Sequence, residues 1–244
     1  MERMGYDALN LGIPEFVFGK EFLEHTRSSV SFPYIASNLF YRGSRLPWTR
    51  EYIIKEVGGI KVAILGVLNP DGLTQINQNL VKGLEVIPAE TALKRLLPEV
   101  RGKADLVILL SRFDVNGTIA LVKATKGVDV AISSGSDEIY FAKEPENTVI
   151  LQTGSLGETL GLLKITLDEK RALSVSERRH VRLDRSVPGN GEIERLIEKF
   201  KNDQAKKAAD LAKKEMEKIQ EGLKLSPKEF MELLQKEQQS PQYR

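Results

Sequence analysis

The chain has no cysteine and only two histidines in 244 residues. Without cysteine there are no disulfides, thiolate metal sites, thiol nucleophiles or c-type haem attachments, and the redox compartment stays open. His25 falls in a helical stretch after the opening turn, and His180 in the charged run Glu177-Arg178-Arg179-His180. Both read as solvated surface residues. Long apolar runs are missing too, and none approaches the roughly 20 residues of a membrane span. A basic segment followed by an apolar one is also absent, so no signal peptide is expected. Nor does charge of one sign dominate. With 36 Lys+Arg against 34 Asp+Glu, the net charge is +2, which gives no global pull toward nucleic acid or a membrane. A Walker loop, a dinucleotide fingerprint and a Ser-His-Asp arrangement are likewise not found.

What is there suffices for a real core. A chain of 27.3 kDa with 41% hydrophobic residues fits one α/β domain with an appendage. Met4–Gly19 reads as a short apolar strand, a Gly-bounded turn and then a helix from Lys20. Phe32 to Leu39 reads as a strand. Tyr52–Val57 and Ile60–Leu68 flank Gly58-Gly59 and predict a hairpin, whose second arm is apolar throughout, as a doubly buried strand requires. Helical spacing over Pro88–Arg101 places Ala92, Leu93, Leu96, Leu97 and Val100 on one side, with Pro98 expected to kink or end the helix. Ala104–Ser111 and Val128–Ser133 read as buried strands around a helix over Asn116–Lys126. Thr148–Thr153 and Leu160–Leu167 follow, joined by Gly154-Ser155-Leu156-Gly157, and residues Arg171 to Leu183 suggest a last edge strand. Alternating strands and helices predict a layered α/β sheet flanked by helices.

From Gly191 the composition changes. Glu192–Gly222 is rich in Ala, Lys, Glu, Asp and Leu and predicts one long charged helix ending at Gly222. Ile193, Ile197 and Phe200 make a bulky apolar stripe, expected to dock on the α/β domain. Ala205, Ala208, Ala212, Met216, Ile219 and Leu223 make a thinner one, suited to another helix or to a further domain. Ser226-Pro227-Lys228-Glu229 is a capping box for a second, short helix. The expected division is 1–188 for the α/β domain and 189–244 for the helical extension.

The turn Gly12-Ile13-Pro14-Glu15-Phe16-Val17-Phe18-Gly19 resembles a signature of the calcineurin-like metallophosphoesterases, in the branch of the 5'-nucleotidases and UDP-sugar hydrolases. There it reads Gly-Asn-His-Glu-Phe-Asp-Phe-Gly, with Asn a metal ligand and His a catalytic group. The resemblance spans about residues 1 to 170. It includes the Ala36 and Asn38 strand end, the hairpin and the Gly154–Gly157 bridge. It implies a metallophosphatase-like sheet lacking the family's first βα unit, and a periplasmic or extracellular compartment. In that family two metal ions hold the phosphoester and activate water, with several histidines as ligands. Here the matching positions are Ile13 and Pro14 in the first turn, Ser111-Arg112 for Ser-His, and Ser134-Gly135-Ser136-Asp137 for Gly-His-Ser/Thr-His. Only Asp137 keeps ligand capacity, and Arg112 would repel a divalent metal. The family's C-terminal nucleobase-binding domain is replaced in sequence by the helical segment.

The reading is therefore a metallophosphoesterase-like domain with no catalytic set and no cofactor, used for binding or scaffolding. The alternative is a residual metal-dependent phosphoester or nucleotide hydrolase. Two further arrangements are compatible with the residues. Glu15, Asp114, Asp137 and Glu138 could form an all-oxygen site for a hard cation, or remain solvated loop carboxylates. Arg112 could hold an anion with Ser111 and Ser134, or pair with Asp114 or Asp137. Partners are expected through the C-terminal helices, with no nucleic acid and no membrane span.

Overall fold

The computed structural model describes residues 1–143, 147–168 and 172–222. They fall into two units, Met1–Asp184 and Arg185–Arg244.

The frame of the first unit is a six-stranded sheet. Its strands are β5 (Tyr52–Val57), β6 (Ile60–Val67), β8 (Leu106–Ser111), β9 (Val130–Ser133), β10 (Ile139–Lys143) and β11 (Val149–Thr153), in the order β10-β11-β9-β8-β6-β5. The four central strands run parallel, while β5 and β10 close the edges antiparallel. The β5–β6 hairpin forms where Gly58 and Gly59 supply two successive positive φ values, +58° and +82°, as the favoured two-residue hairpin turns demand.

Strand alternation sends side chains to two different cores. On one face, Ala63, Leu65, Val67, Val107, Leu109, Ala131 and Ile150 meet two helices, α2 (Ala89–Arg101) and α3 (Val115–Thr125). On the other, Val130, Val149 and Leu151, with Ile108 and Ile132, meet Leu163, Ile165, Leu173 and Val175. These last four belong to the hairpin β12 (Thr159–Leu167) and β13 (Leu173–Arg182). Helices thus flank one face and a β-hairpin covers the other. Strand β13 was expected at the sheet edge; it pairs instead with β12 in a separate two-stranded sheet. The edge belongs to β10, whose short Ile139-Tyr140-Phe141 run was not read as a strand.

Pro98 does not end α2, which continues to Arg101. Its ring lies on the exposed side, whereas Leu96, Leu97 and Val100 are buried. Burying these three offsets the roughly 3 kcal/mol that an interior proline costs.

The N-terminal segment builds a third core. Strand β1 (Leu9–Asn10), a 3-10 turn over Pro14–Phe18 and helix α1 (Lys20–Arg27) gather Leu11, Phe16 and Leu23 with Phe32, Tyr34, Leu39 and Leu68. The strand expected over 32–39 is split into β2 (Tyr34–Ile35) and β3 (Leu39–Tyr41). The break falls where Ser37 and Asn38 turn to bond Gly66 and Leu68. Short strands β4 (Thr49–Arg50) and β7 (Leu84–Val86) pair with β2 and β3 respectively.

Among the described residues of the second unit, helix α4 runs over Gly191–Gly222. Asn190 starts it, its side-chain oxygen accepting from the Glu192 and Ile193 N–H groups at 3.0 and 3.2 Å, as an N-cap does. Along α4, Ile197 is 48% and Phe200 61% exposed. The helix expected from Ser226 lies outside the described residues.

Candidate functional site

Ligand-bearing turns of an open α/β sheet lie beyond the carboxyl ends of its strands, here the turns after β1, β6, β8 and β9. Buried amide side chains hold these turns in place. Asn10 donates to the carbonyls of Val67 (3.1 Å) and Leu110 (2.9 Å), tying β1 to the ends of β6 and β8. Asn38, fully buried, donates to the Leu68 and Ile87 carbonyls and accepts from the Leu68 N–H, each at 2.9 Å. Gln152, also fully buried, reaches from β11. It bonds Ser133 Oγ (2.7 Å), Ser136 Oγ (2.7 Å) and the Glu138 carbonyl (2.8 Å), fixing the turn after β9. Sequence reasoning missed Asn10 and Gln152. The available signal was a single amide inside an apolar run, Leu9-Asn10-Leu11 and Val149-Ile150-Leu151-Gln152.

Around these staples a cleft of about 290 Å³ opens, lined by Gly12, Ile13, Pro14, Asp71, Arg112 and Ser134 among others. Arg112 crosses it. Its guanidinium lies against Gly12 so closely that a Cβ at that position would fall within the group. Glycine is required here by close approach. Arg112 Nη2 donates to Glu15 Oε2 at 3.2 Å, and the same oxygen accepts the Gly12 N–H at 2.8 Å. The Arg112 and Glu15 side chains keep 28% and 26% of their surface exposed.

The structure thus joins Ile13, Pro14, Glu15, Arg112 and Ser134. The partner of Arg112 is Glu15, where the sequence had suggested Asp114 or Asp137. The reason is local: the 3-10 turn after Ile13 carries the Glu15 carboxylate back over Gly12. Asp114 is occupied as the N-cap of α3, accepting the Gly117 N–H at 2.7 Å. Ser111 does not reach the cleft; it is buried, with Oγ 2.8 Å from Thr118 Oγ1. Its carbonyl accepts from the Ser134 N–H and hydroxyl at 3.0 and 3.2 Å. Gly135 donates its N–H to the Phe113 carbonyl at 3.0 Å. Asp137 and Glu138 are exposed beyond this turn, as are His25 and His180 on other elements.

Among the described residues no three of the His, Asp and Glu side chains come together as a metal-binding group. The all-oxygen site considered from Glu15, Asp114, Asp137 and Glu138 is therefore not assembled. The residues of the cleft do not fit a divalent metal pair either. Ile13 and Pro14 carry no donor, the Glu15 carboxylate is engaged, and Arg112 brings a fixed positive charge. Two unit charges 4 Å apart repel by about 4 kcal/mol at an effective dielectric of 20, and a divalent ion doubles that.

No protein-family model matches the chain. The uncharacterised metallophosphoesterase YunD of Bacillus subtilis is 32% identical over 140 residues, which cover 56% of this chain and 29% of that protein. The 5'-nucleotidase of Bos taurus is 28% identical over 233 residues, covering 82% of this chain and 39% of the relative. This chain therefore spans well under half the length of either. Among solved structures, the calcineurin-like phosphoesterase YfkN of Bacillus subtilis superposes with a TM-score of 0.68 at 21% identity, over 82% of this chain and 71% of that one. At that identity the likeness is one of fold. In sequence and in fold the chain is similar to calcineurin-like metallophosphoesterases and 5'-nucleotidases.

Proposed function

We propose that residues 1–188 are a non-catalytic metallophosphoesterase-like domain that binds or scaffolds, and that the extension over 189–244 serves contact with another protein or domain. The observation carrying this reading is the Arg112–Glu15 pair seated on Gly12. A guanidinium stays protonated at any working pH, so it neither ligates a metal nor moves a proton. It occupies the position that matches the family's Ser-His histidine, and the turn beside it offers Ile13 and Pro14 where that family has Asn and His. The frame that positions a site is kept, while the groups that would do chemistry on a phosphoester are replaced.

The test is hydrolysis of 5'-nucleotides and aryl phosphates by the 244-residue chain with Mn, Mg, Zn or Ca supplied in turn. No turnover above buffer is expected. Turnover that disappears in Asp137→Ala would overturn the reading, because Asp137 is the one matched position with ligand capacity. The relatives are named as phosphoesterases and nucleotidases, and this favours a second reading: a residual phosphoric ester hydrolase of 5'-nucleotidase type. The same assay decides between the two.

A further inference from the structure

The cleft over Gly12 already holds a carboxylate, and it is the chain's own. The Glu15 carboxylate is bound there by one backbone N–H and one guanidinium nitrogen, both reaching Oε2. A guanidinium has five N–H donors set for two-pronged recognition of an oxyanion. Among the described residues, the Arg112 side chain spends only one donor on a hydrogen bond, and that bond is long at 3.2 Å. Arg112 and Ser134 both line the cleft, and the Ser134 hydroxyl has only one described bond, also long, 3.2 Å to the Ser111 carbonyl. Gly12 packs directly against the guanidinium, which fixes the group in place and brings it no counter-charge.

We propose that Arg112 receives a small oxyanion, a phosphate or a carboxylate group, without any metal, and that Glu15 is its internal competitor. This rests on the non-catalytic reading above and names the ligand class of the same cleft. An incoming oxyanion takes the Arg112 edge, with the Ser134 hydroxyl turned from the Ser111 carbonyl to meet it. Glu15 then retreats to its Gly12 N–H contact or to solvent. Affinity is accordingly set by two opposed terms, the attraction of Arg112 and the competition of Glu15, with the Asp71 carboxylate at the rim opposing entry as well. No bond is made or broken.

The proposal predicts that two substitutions act in opposite directions. Titration calorimetry of the 244-residue chain in EDTA should show binding of inorganic phosphate in the millimolar range, with acetate run separately to tell a tetrahedral from a planar ligand. Glu15→Gln keeps an oxygen for the Gly12 N–H but removes the competing charge, so it should bind several-fold more tightly. Arg112→Gln should bind about tenfold or more weakly, the value of a hydrogen bond between charged groups. Melting temperatures report whether each variant stays folded, and Ser134→Ala, which removes only a surface hydroxyl, is a second and milder probe expected to weaken binding. Binding of neither anion, binding that Arg112→Gln leaves unchanged, or weaker binding by Glu15→Gln would each overturn the proposal. The outcome is separable from that of the hydrolysis assay. Metal-dependent turnover with intact EDTA-resistant anion binding defeats only the non-catalytic reading, whereas absence of both defeats only this one.

Discussion

The two sides of the central sheet's helix-covered layer and its strand-end turns are held together by different physics. Against α2 and α3 the contacts are apolar, with Leu65, Leu93, Leu96, Val107, Leu109 and Ile150 all buried. Each such side chain contributes about 1.5–3 kcal/mol through area removed from water, and many substitutions of similar size would serve. At the carboxyl ends of the strands the turns are stapled by three amides. Asn10, Asn38 and Gln152 bond the strand ends and turns to one another through backbone carbonyls, N–H groups and serine hydroxyls. A staple is directional and specific to its residue, and an apolar replacement leaves its partners unpaired in a dry place. The difference separates what packs the sheet from what positions the turns around the cleft.

The sharpest way to break this comparison is to swap the rules between the regions. Asn38→Leu is nearly isosteric and adds apolar surface, yet it strands the Leu68 N–H and the Leu68 and Ile87 carbonyls. With a buried unsatisfied group worth about 1–3 kcal/mol, the variant should lose about 3 kcal/mol or more in urea unfolding. Leu96→Ala, a plain core truncation, should lose about 2–5 kcal/mol. If Asn38→Leu were neutral or stabilising, the turns would be held by burial like the rest of the sheet, and the contrast would collapse.

The same contrast decides what the sequence could reveal. Apolar burial leaves a periodic trace, so β6, β8, β9, β11, α2 and α3 are all legible from alternation and helical spacing to within a few residues. The turn glycines at 58 and 59 are legible because only a few residues accept positive φ. A staple leaves no period. Asn10 and Gln152 are single letters, and their partners lie between 14 and 100 residues away in the chain. The cleft was half legible. Ile13, Pro14, Arg112 and Ser134 come together as their positions beyond strands imply. The pairing of Arg112 with Glu15 depends on how tightly a 3-10 turn closes over Gly12, which no spacing rule conveys. Pro98 misled for a related reason, since propensity describes a helix alone and α2 is fixed by its buried face.

Helix α4 extends the comparison to an element with no buried side-chain amide among its described residues. Ile193, Ile197 and Phe200 share one side of it. Phe200 retains 61% of its accessible surface, so truncating it removes little buried area. Phe200→Ala should change the urea stability of the chain by less than about 1 kcal/mol, against the 3–5 kcal/mol of a buried aromatic. A loss in that larger range would mean that the stripe is covered in solution.

The smallest effect is expected where only exposed charge is at stake, on the solvent side of α2. Glu99 Oε1 accepts from Lys103 Nζ at 2.6 Å and from the Tyr52 hydroxyl at 2.7 Å, and Lys103 also reaches that hydroxyl at 3.1 Å. The hydrogen bond from Lys103, then that from Tyr52, then the Lys103 charge hold the Glu99 carboxyl below its ordinary value. The Glu99 bond chiefly holds the Lys103 amine above its own. The two shifts bound a window. The carboxylate's share of stability is present above the ordinary glutamate value of about 4.3 and fades as pH falls through the depressed one. The amine's share is present below the ordinary lysine value of about 10.4 and fades as pH rises through the raised one. Across neutral pH the network is therefore flat, and salt should weaken it, since both charged groups are exposed and Tyr52 is only half-buried. Carboxyl-detected NMR should find Glu99 titrating at lower pH than an unfolded glutamate. Lys103→Met should move its midpoint up further than Tyr52→Phe does. If Tyr52→Phe moved it more, the hydroxyl rather than the ammonium would be the group that sets this carboxylate, and the ordering of the two contacts would have to be reversed.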